Sequence, residues 1–307
     1  ASHRSEGKRY VDATPWRLAT PRPDGVGEMI VHPSTPAGAP RLVFSGLDAK
    51  VAGEVEGAFA GAGHTVVSNA RNYRMESDVP LLVPEINPEH LQLLAAQAAV
   101  RGWPGRIVTN PNCSTIALTM ALVPLRPFGL RAVNVTTLQA ISGAGYPGLA
   151  SLDIVGNVIP FIGGEEAKME SETQKILGRL QEGVVRPDPI AVSAHCTRVP
   201  IVDGHTLMIS VGFDSPPVAD ELLEAFRTFS ARPQAEQLPS APRRPVVYLD
   251  EPNRPQPRLD AGRDGGMTVT VGRLRACSVL DVKYVALGHN TVRGAAGAAL
   301  LNAELMQ

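Results

Sequence analysis

Cysteine is scarce in this chain of 307 residues, which holds only Cys113, Cys196 and Cys277. The count is odd and no Cys-x-x-Cys pair occurs, which is poor material for a disulfide framework or a zinc site. A reducing, cytoplasmic setting is expected. A surplus of either charge is also missing, since 29 Lys and Arg face 30 Asp and Glu for a net charge of -1. Nucleic-acid and membrane-surface binding both need clustered basic residues, so neither partner is expected. Long apolar runs are absent too. The stretch from Ser114 to Val135 is broken by Pro124, Arg126, Pro127 and Arg131, short of the roughly 18–20 apolar residues of a membrane span, and the protein is expected to be soluble. No repeat recurs at periods of about 20–50 residues. The chain starts at Ala1 with neither a methionine nor a signal-peptide pattern, and further sequence upstream is expected.

What remains is a composition with 44% hydrophobic and 19% charged residues, that of a globular protein large enough for two domains or one large α/β unit. With 29 glycines and 27 prolines the chain is loop-rich, yet below the roughly 25–30% share that marks disorder. The first forty residues read mostly as loop. Then strands and helices alternate: strands at Arg41–Phe44, His64–Ser68, Pro80–Val83 and Arg106–Thr109, and helices at Ala49–Ala62 and Pro88–Arg101. That alternation predicts a parallel sheet in an α/β fold, with ligands at the carboxyl ends of its strands. After a helix from Cys113 to Leu125 the texture changes. Strand patterns at Arg131–Ile141, Ala191–Arg198, Thr206–Phe213, Met267–Leu274 and Val282–Leu287 predict a second, largely antiparallel unit with one covered face. Glu165–Leu180 and Val218–Arg232 supply its helices. The proline-rich segment Gln237–Arg258 reads as a surface excursion, and Asn290–Met306 as a closing Ala-rich helix.

The most informative stretch is Thr109-Asn-Pro-Asn-Cys-Ser-Thr115, which sets Cys113 between a strand end and a helix start. Helix N-termini favour a thiolate through their unpaired N–H groups and dipole; the alternative is a buried structural cysteine. Asn112 can offer amide donors to an anionic group, and Asn110-Pro111 forces the turn that presents the thiol. His205 follows Asp203-Gly204 in a turn, seven residues after Arg198. Arginine suits bidentate carboxylate binding and histidine suits acid–base work near neutral pH, although such a pair is otherwise a surface partner and a turn residue. Adjacent His195 and Cys196 point to opposite strand faces. Glu165 and Lys168 share one helix face and read either as an ordinary surface ion pair, which the run Glu170, Glu172 and Lys175 supports, or as contacts for a zwitterionic or phosphorylated substrate. Gly143-Ala-Gly145 and Gly163-Gly164 permit close backbone approach to a ligand.

Ten strings, in order, resemble aspartate-β-semialdehyde dehydrogenases of the branch found in archaea, fungi and some bacteria. They are Ala1–Lys8, Phe44–Asp48, Ser68–Arg74, Asp78–Pro84, Thr109–Thr115, Ser142–Gly148, Asp153–Pro160, Glu165–Lys175, Arg198–Thr206 and Gly288–Gly294. The resemblance implies an α/β fold. A truncated Rossmann-type NADP-binding domain at 1–112, completed by a C-terminal helix at 289–307, would join an α+β catalytic and dimerisation domain at 113–288, of the type shared with glyceraldehyde-3-phosphate dehydrogenase. It also implies that a strand, a glycine-rich turn and a helix precede the residues matching Ala1 in the family.

The implied chemistry is NADPH-dependent reduction of β-aspartyl phosphate through a cysteine thioester. On this chain Cys113 would be the nucleophile, His205 the acid–base and Gln139 the group that orients the acyl intermediate. Arg198 would bind the substrate carboxylate and Glu165, or its neighbour Glu166, the amino group, while Arg74, Asn112 and Lys168 would hold the phosphate. For NADP(H), Ser2, Arg4, Ser5 and Lys8 match the 2′-phosphate loop, Ser45 and Gly46 would lie near the adenosine, and Ser142, Gly143 and Asn290 near the nicotinamide. A homodimer or homotetramer is expected. Competing readings are a related acyl reductase, of the malonyl-CoA or N-acetyl-glutamyl-phosphate type, or an inactive homologue with a structural role.

Overall fold

The computed structural model describes residues 4–18 and 20–307. Before the first sheet come a single turn, α1 (Tyr10–Ala13), and irregular chain pinned by an antiparallel bridge between Arg9 and Ile30. The first sheet is parallel, in the order β1 (Leu42–Ser45), β2 (Thr65–Ser68), β3 (Arg106–Thr109). Helix α2 (Ala49–Gly61) links β1 to β2. Its N-cap Asp48 accepts from the Lys50 N–H, and Ala52, Glu56 and Ala60, spaced four apart, form its buried face. Between β2 and β3 a 3-10 turn with Pro88 at its start runs into α3 (Leu93–Arg101), which ends on Gly102 at φ +62°, the left-handed conformation that glycine adopts without cost. The strand expected at Pro80–Val83 is only a bridge of Leu81 to Thr109. Pro80 has no N–H and Pro84 closes the segment, so pairing cannot extend.

Helix α4 (Cys113–Leu122) is buried from Ser114 onward, the mark of a helix that is apolar all round. It packs on the central strands of a six-stranded sheet. That sheet runs β7-β4-β8-β11-β10-β9, from β4 (Leu130–Gln139), β7 (Ala191–Arg198), β8 (His205–Phe213), β9 (Val246–Leu249), β10 (Val269–Ala276) and β11 (Val282–Gly288). The pairs β4–β8, β8–β11 and β10–β11 are antiparallel, while β4–β7 and β9–β10 are parallel. Strand β9 corrects the surface-excursion reading of Gln237–Arg258. Val246 and Leu249 are buried, because the proline-free stretch between Pro245 and Pro252 is long enough to add an edge strand.

One face of this sheet is covered. Val133, Val135, Thr137 and Gln139 of β4, and Ala194, Cys196 and Arg198 of β7, are buried at every second position, under α4 and under α6 (Glu165–Leu177), which packs on β7. The other face keeps Asn134, His195 and Met208 exposed. Between β4 and α6 a loop with the single turn α5 (Ser151–Ile154) exposes Tyr146, Leu152, Val155 and Phe161. A hairpin of β5 (Arg179–Gln181) and β6 (Val184–Arg186) follows α6, α7 (Ala219–Thr228) lies against β9, and α8 (Arg232–Ala235) and α9 (Pro257–Asp260) are single turns. The chain closes with a π-type turn at Val292–Ala296 and α10 (Gly297–Leu305). Ala299, Ala303 and Leu305 of α10 return to pack on Val67, Leu82 and Val108 of the first sheet region. No helix among the described residues is long and apolar enough to cross a membrane.

Candidate active site

Cys113 opens α4 where the first sheet hands over to the second. Asn112 is the N-cap, its Oδ1 accepting from the N–H groups of Ser114 (2.9 Å) and Thr115 (3.2 Å). The Cys113 Sγ lies 3.3 Å from His205 Nε2. Against its other side runs the C-terminal π-type turn, so tightly that a Cβ on Gly294 would lie 2.5 Å from the Cys113 Cβ. Only glycine fits there.

The thiol does not behave as its helix position predicts. Burial pushes it up to about 11, and Glu165 adds to the shift; Arg74, the Ser114 N–H and Arg198 oppose it without overcoming it. Loss of water around a thiolate outweighs one helix N-terminus. His205 departs from expectation in the same way. It is fully buried, and burial, then Arg198 and His289, lower it to about 3, so the ring is neutral near pH 7. Its Nδ1 accepts from the Ala140 N–H at 3.1 Å, which leaves the neutral ring's proton on Nε2, facing the sulfur.

Strand register assembles the next group. Gln139 is the ladder partner of Arg198 in the parallel β4–β7 pair, and both side chains lie on the covered face. Arg198 donates from Nη1 to the Ala140 carbonyl at 2.7 Å. A Cβ on Gly143 would lie 2.7 Å from that Nη1 and 3.1 Å from the His205 ring; the missing side chain is the space over both groups. The Gln139 amide donates to Thr137 Oγ1 at 3.3 Å, and among the described residues no hydrogen bond links it to Cys113.

Helix α6 brings the remaining polar groups. Glu165, its first residue, is buried; Oε1 accepts from Asn112 Nδ2 at 2.6 Å and Oε2 from Lys168 Nζ at 3.1 Å. The expected ion pair is therefore real, but it forms the wall of the site rather than a solvated face. Glu166 points elsewhere, accepting from the Cys196 N–H. Two residues that sequence reasoning took for surface charges, Glu172 and Lys175, are buried here. Glu172 accepts from Arg74 Nη1 (3.0 Å) and from the Asn112 N–H (2.6 Å). Lys175 donates to the carbonyls of Arg74, Glu76 and Val79. The usable signal was spacing: positions 165, 168, 172 and 175 fall on one helix face. Arg74 is also buried, donates from Nη2 to the Asn69 carbonyl, and keeps an Nε with no partner among the described residues.

The residues expected to hold a dinucleotide fall at two places. Ser142 Oγ accepts from Asn290 Nδ2 at 2.7 Å, and Asn290 Oδ1 accepts from the Gly204 N–H, so both flank the turn that carries His205. Ser45 and Gly46 line a cavity of about 500 Å³ with Val43, Phe59 and Glu56. Glu56 Oε1 accepts from Ser45 and Ser68, while its buried Oε2 has no partner among the described residues. A carboxylate at the wall of a largely apolar cavity suits the donors of an adenosine, and the glycine-made space at Gly143 suits a flat ring. Arg4 and Lys8 are exposed and Ser5 half-buried near the start of the described chain; Ser2 lies outside the described residues.

The chain is similar to known proteins over its whole length. The family model for the semialdehyde dehydrogenase NAD binding domain matches residues 1–94, and the one for the semialdehyde dehydrogenase dimerisation domain matches 122–293. Aspartate-semialdehyde dehydrogenase of Methanothermobacter thermautotrophicus is 51% identical over 311 residues, covering 100% of this chain and 89% of the relative. Its namesake from Archaeoglobus fulgidus is 49% identical, covering 100% of this chain and 88% of that protein. The crystal structure of aspartate semialdehyde dehydrogenase with NADP from Candida albicans superposes with a TM-score of 0.92 at 44% identity, covering 100% of this chain and 89% of that one. The chain belongs to the aspartate-semialdehyde dehydrogenase family.

Proposed function

We propose that this chain catalyses the NADPH-dependent reductive dephosphorylation of L-β-aspartyl phosphate to L-aspartate-β-semialdehyde, a step toward lysine, threonine, methionine and isoleucine. The observation that carries the reading is the 3.3 Å approach of Cys113 Sγ to His205 Nε2 at the N-terminus of α4, inside a ring of Arg74, Arg198 and Glu165. A substrate with a carboxylate, an ammonium and an acyl phosphate asks for such a set around a sulfur nucleophile.

Cys113 attacks the acyl carbon, forming a C–S bond as its S–H proton passes to the phosphoryl group, the C–O bond to phosphate breaks and phosphate leaves carrying that proton. His205 is the acid–base residue of the reading: with the neutral ring's proton on Nε2 it acts there as the acid, its N–H directed to the sulfur and to the oxygen that becomes charged in the tetrahedral state. Gln139 orients the acyl group. Arg198 takes the α-carboxylate through the fork geometry of its guanidinium, Glu165 takes the ammonium, and Arg74, Asn112 and Lys168 take the phosphate. Bound NADPH supplies the hydride that reduces the thioester carbon. Ser142, Gly143 and Asn290 would hold its nicotinamide half, Ser45 and Gly46 its adenosine, and Ser2, Arg4, Ser5 and Lys8 its 2′-phosphate. A homodimer or homotetramer is the proposed assembly, with a second copy covering the open face of the six-stranded sheet.

The purified protein is expected to reduce NADP when given aspartate semialdehyde and inorganic phosphate together, and not with either alone. Turnover with a CoA thioester in place of the phosphate substrate, or no turnover at all, would overturn the reading.

A further inference from the structure

We propose that Glu172 and Lys175 are positioning residues for the phosphate subsite, acting through Arg74 and Asn112. The proposal rests on the reading of Arg74 as a phosphate-binding residue and adds what sets its place.

Arg74 lies in the loop after β2, and Asn112 caps α4. Both are held by the same face of α6. Lys175 Nζ fixes the backbone of the Arg74 loop, donating to the Arg74 carbonyl (2.7 Å), the Glu76 carbonyl (2.7 Å) and the Val79 carbonyl (2.9 Å). An ammonium has three N–H donors, and all three are used on this one loop. One helical turn earlier, Glu172 takes the Arg74 guanidinium on Oε1 and the Asn112 N–H on Oε2, at 2% exposure. Glu165, two turns before that, takes the Asn112 side chain. Backbone and side chain of both candidate phosphate ligands are thereby fixed from a single rigid element.

The arrangement has an electrostatic side. Glu172 is the counter-charge of the buried Arg74 guanidinium at 3.0 Å; burial pushes its carboxyl up, and Arg74 and the Asn112 N–H oppose that shift. The Arg74 Nε stays buried without a partner among the described residues. A donor left unsatisfied beside a carboxylate-held guanidinium marks where an additional anion would be welcomed. Without Glu172 the guanidinium loses its orientation; without Lys175 the loop beneath it loses its anchor.

The test uses the phosphate-dependent oxidation of aspartate semialdehyde with NADP, comparing wild type with Glu172→Gln and Lys175→Met. Each variant is expected to raise KM for inorganic phosphate about tenfold, with KM for the semialdehyde within about twofold of wild type and Cys113 alkylated at the wild-type rate. An unchanged phosphate KM in Glu172→Gln would overturn the proposal. So would a rise of both KM values by the same factor together with a lowered melting temperature, the mark of a merely structural role. Should Lys175→Met fail to fold, Glu172→Gln decides alone. A wild-type enzyme whose turnover does not depend on phosphate would overturn the phosphate reading itself, an outcome distinct from a variant that saturates normally.

Discussion

Cys113 and Cys196 are both pushed up to about 11, by burial first and with Glu165 adding to each, yet their direct partners differ. Cys196 sits mid-strand in β7, its sulfur 3.5 Å from the Met169 Sδ and its backbone held by Glu166. Cys113 sits on a helix start, against an imidazole N–H, within the field of two arginines, and beside a glycine that leaves it no wall to spare. The acidity of the thiol therefore does not separate nucleophile from bystander. Partners and access do.

The widest gap between the two should appear on removing each sulfur. Cys113→Ser is expected to lower turnover about a thousandfold or more, whereas Cys196→Ala should leave turnover within a few-fold and cost about 1 kcal/mol in urea unfolding. Equal loss of activity in both variants would erase the distinction. A smaller effect is expected from the wall: Gly294→Ala should drop kcat about ten- to a hundredfold by displacing Cys113, with NADPH binding measured by fluorescence unchanged. The Cys113 partner offers the finest contrast, through pH. In the unfolded chain His205 titrates near 6.5, and in the folded protein at about 3. Between those values the unfolded state binds the extra proton, so stability falls as pH drops below 6.5, by up to about 1.4 kcal/mol per pH unit, and this contribution is flat above 6.5. Melting curves from pH 7 to 4 should slope less steeply in His205→Asn than in wild type.

Much of this was legible in the sequence, and the misses have two causes. The β1–α2–β2 alternation, the β7 bounds and the Cys113 helix start come from local signals: periodicity, a Gly after a helix, an Asx-Pro turn. The strand β9 escaped because flanking prolines speak about their own N–H groups and not about the six residues between them, four of which form the strand. Glu172 and Lys175 escaped because charged residues on a helix are ordinarily solvated, and what buries them here is the loop 74–79, a hundred residues away in sequence. The thiol's direction failed for the same reason. The helix N-terminus is written beside Cys113, while Glu165 and the desolvating turn at Gly294 are written far from it.

The most direct measurement is acyl trapping. The protein is mixed with β-aspartyl phosphate in the absence of NADPH, quenched in acid within the first turnover, digested and read by mass spectrometry. The account predicts an aspartyl mass increment on the peptide that contains Cys113 and on no other. No adduct on that peptide, or an adduct on Cys196 or Cys277 instead, would contradict it.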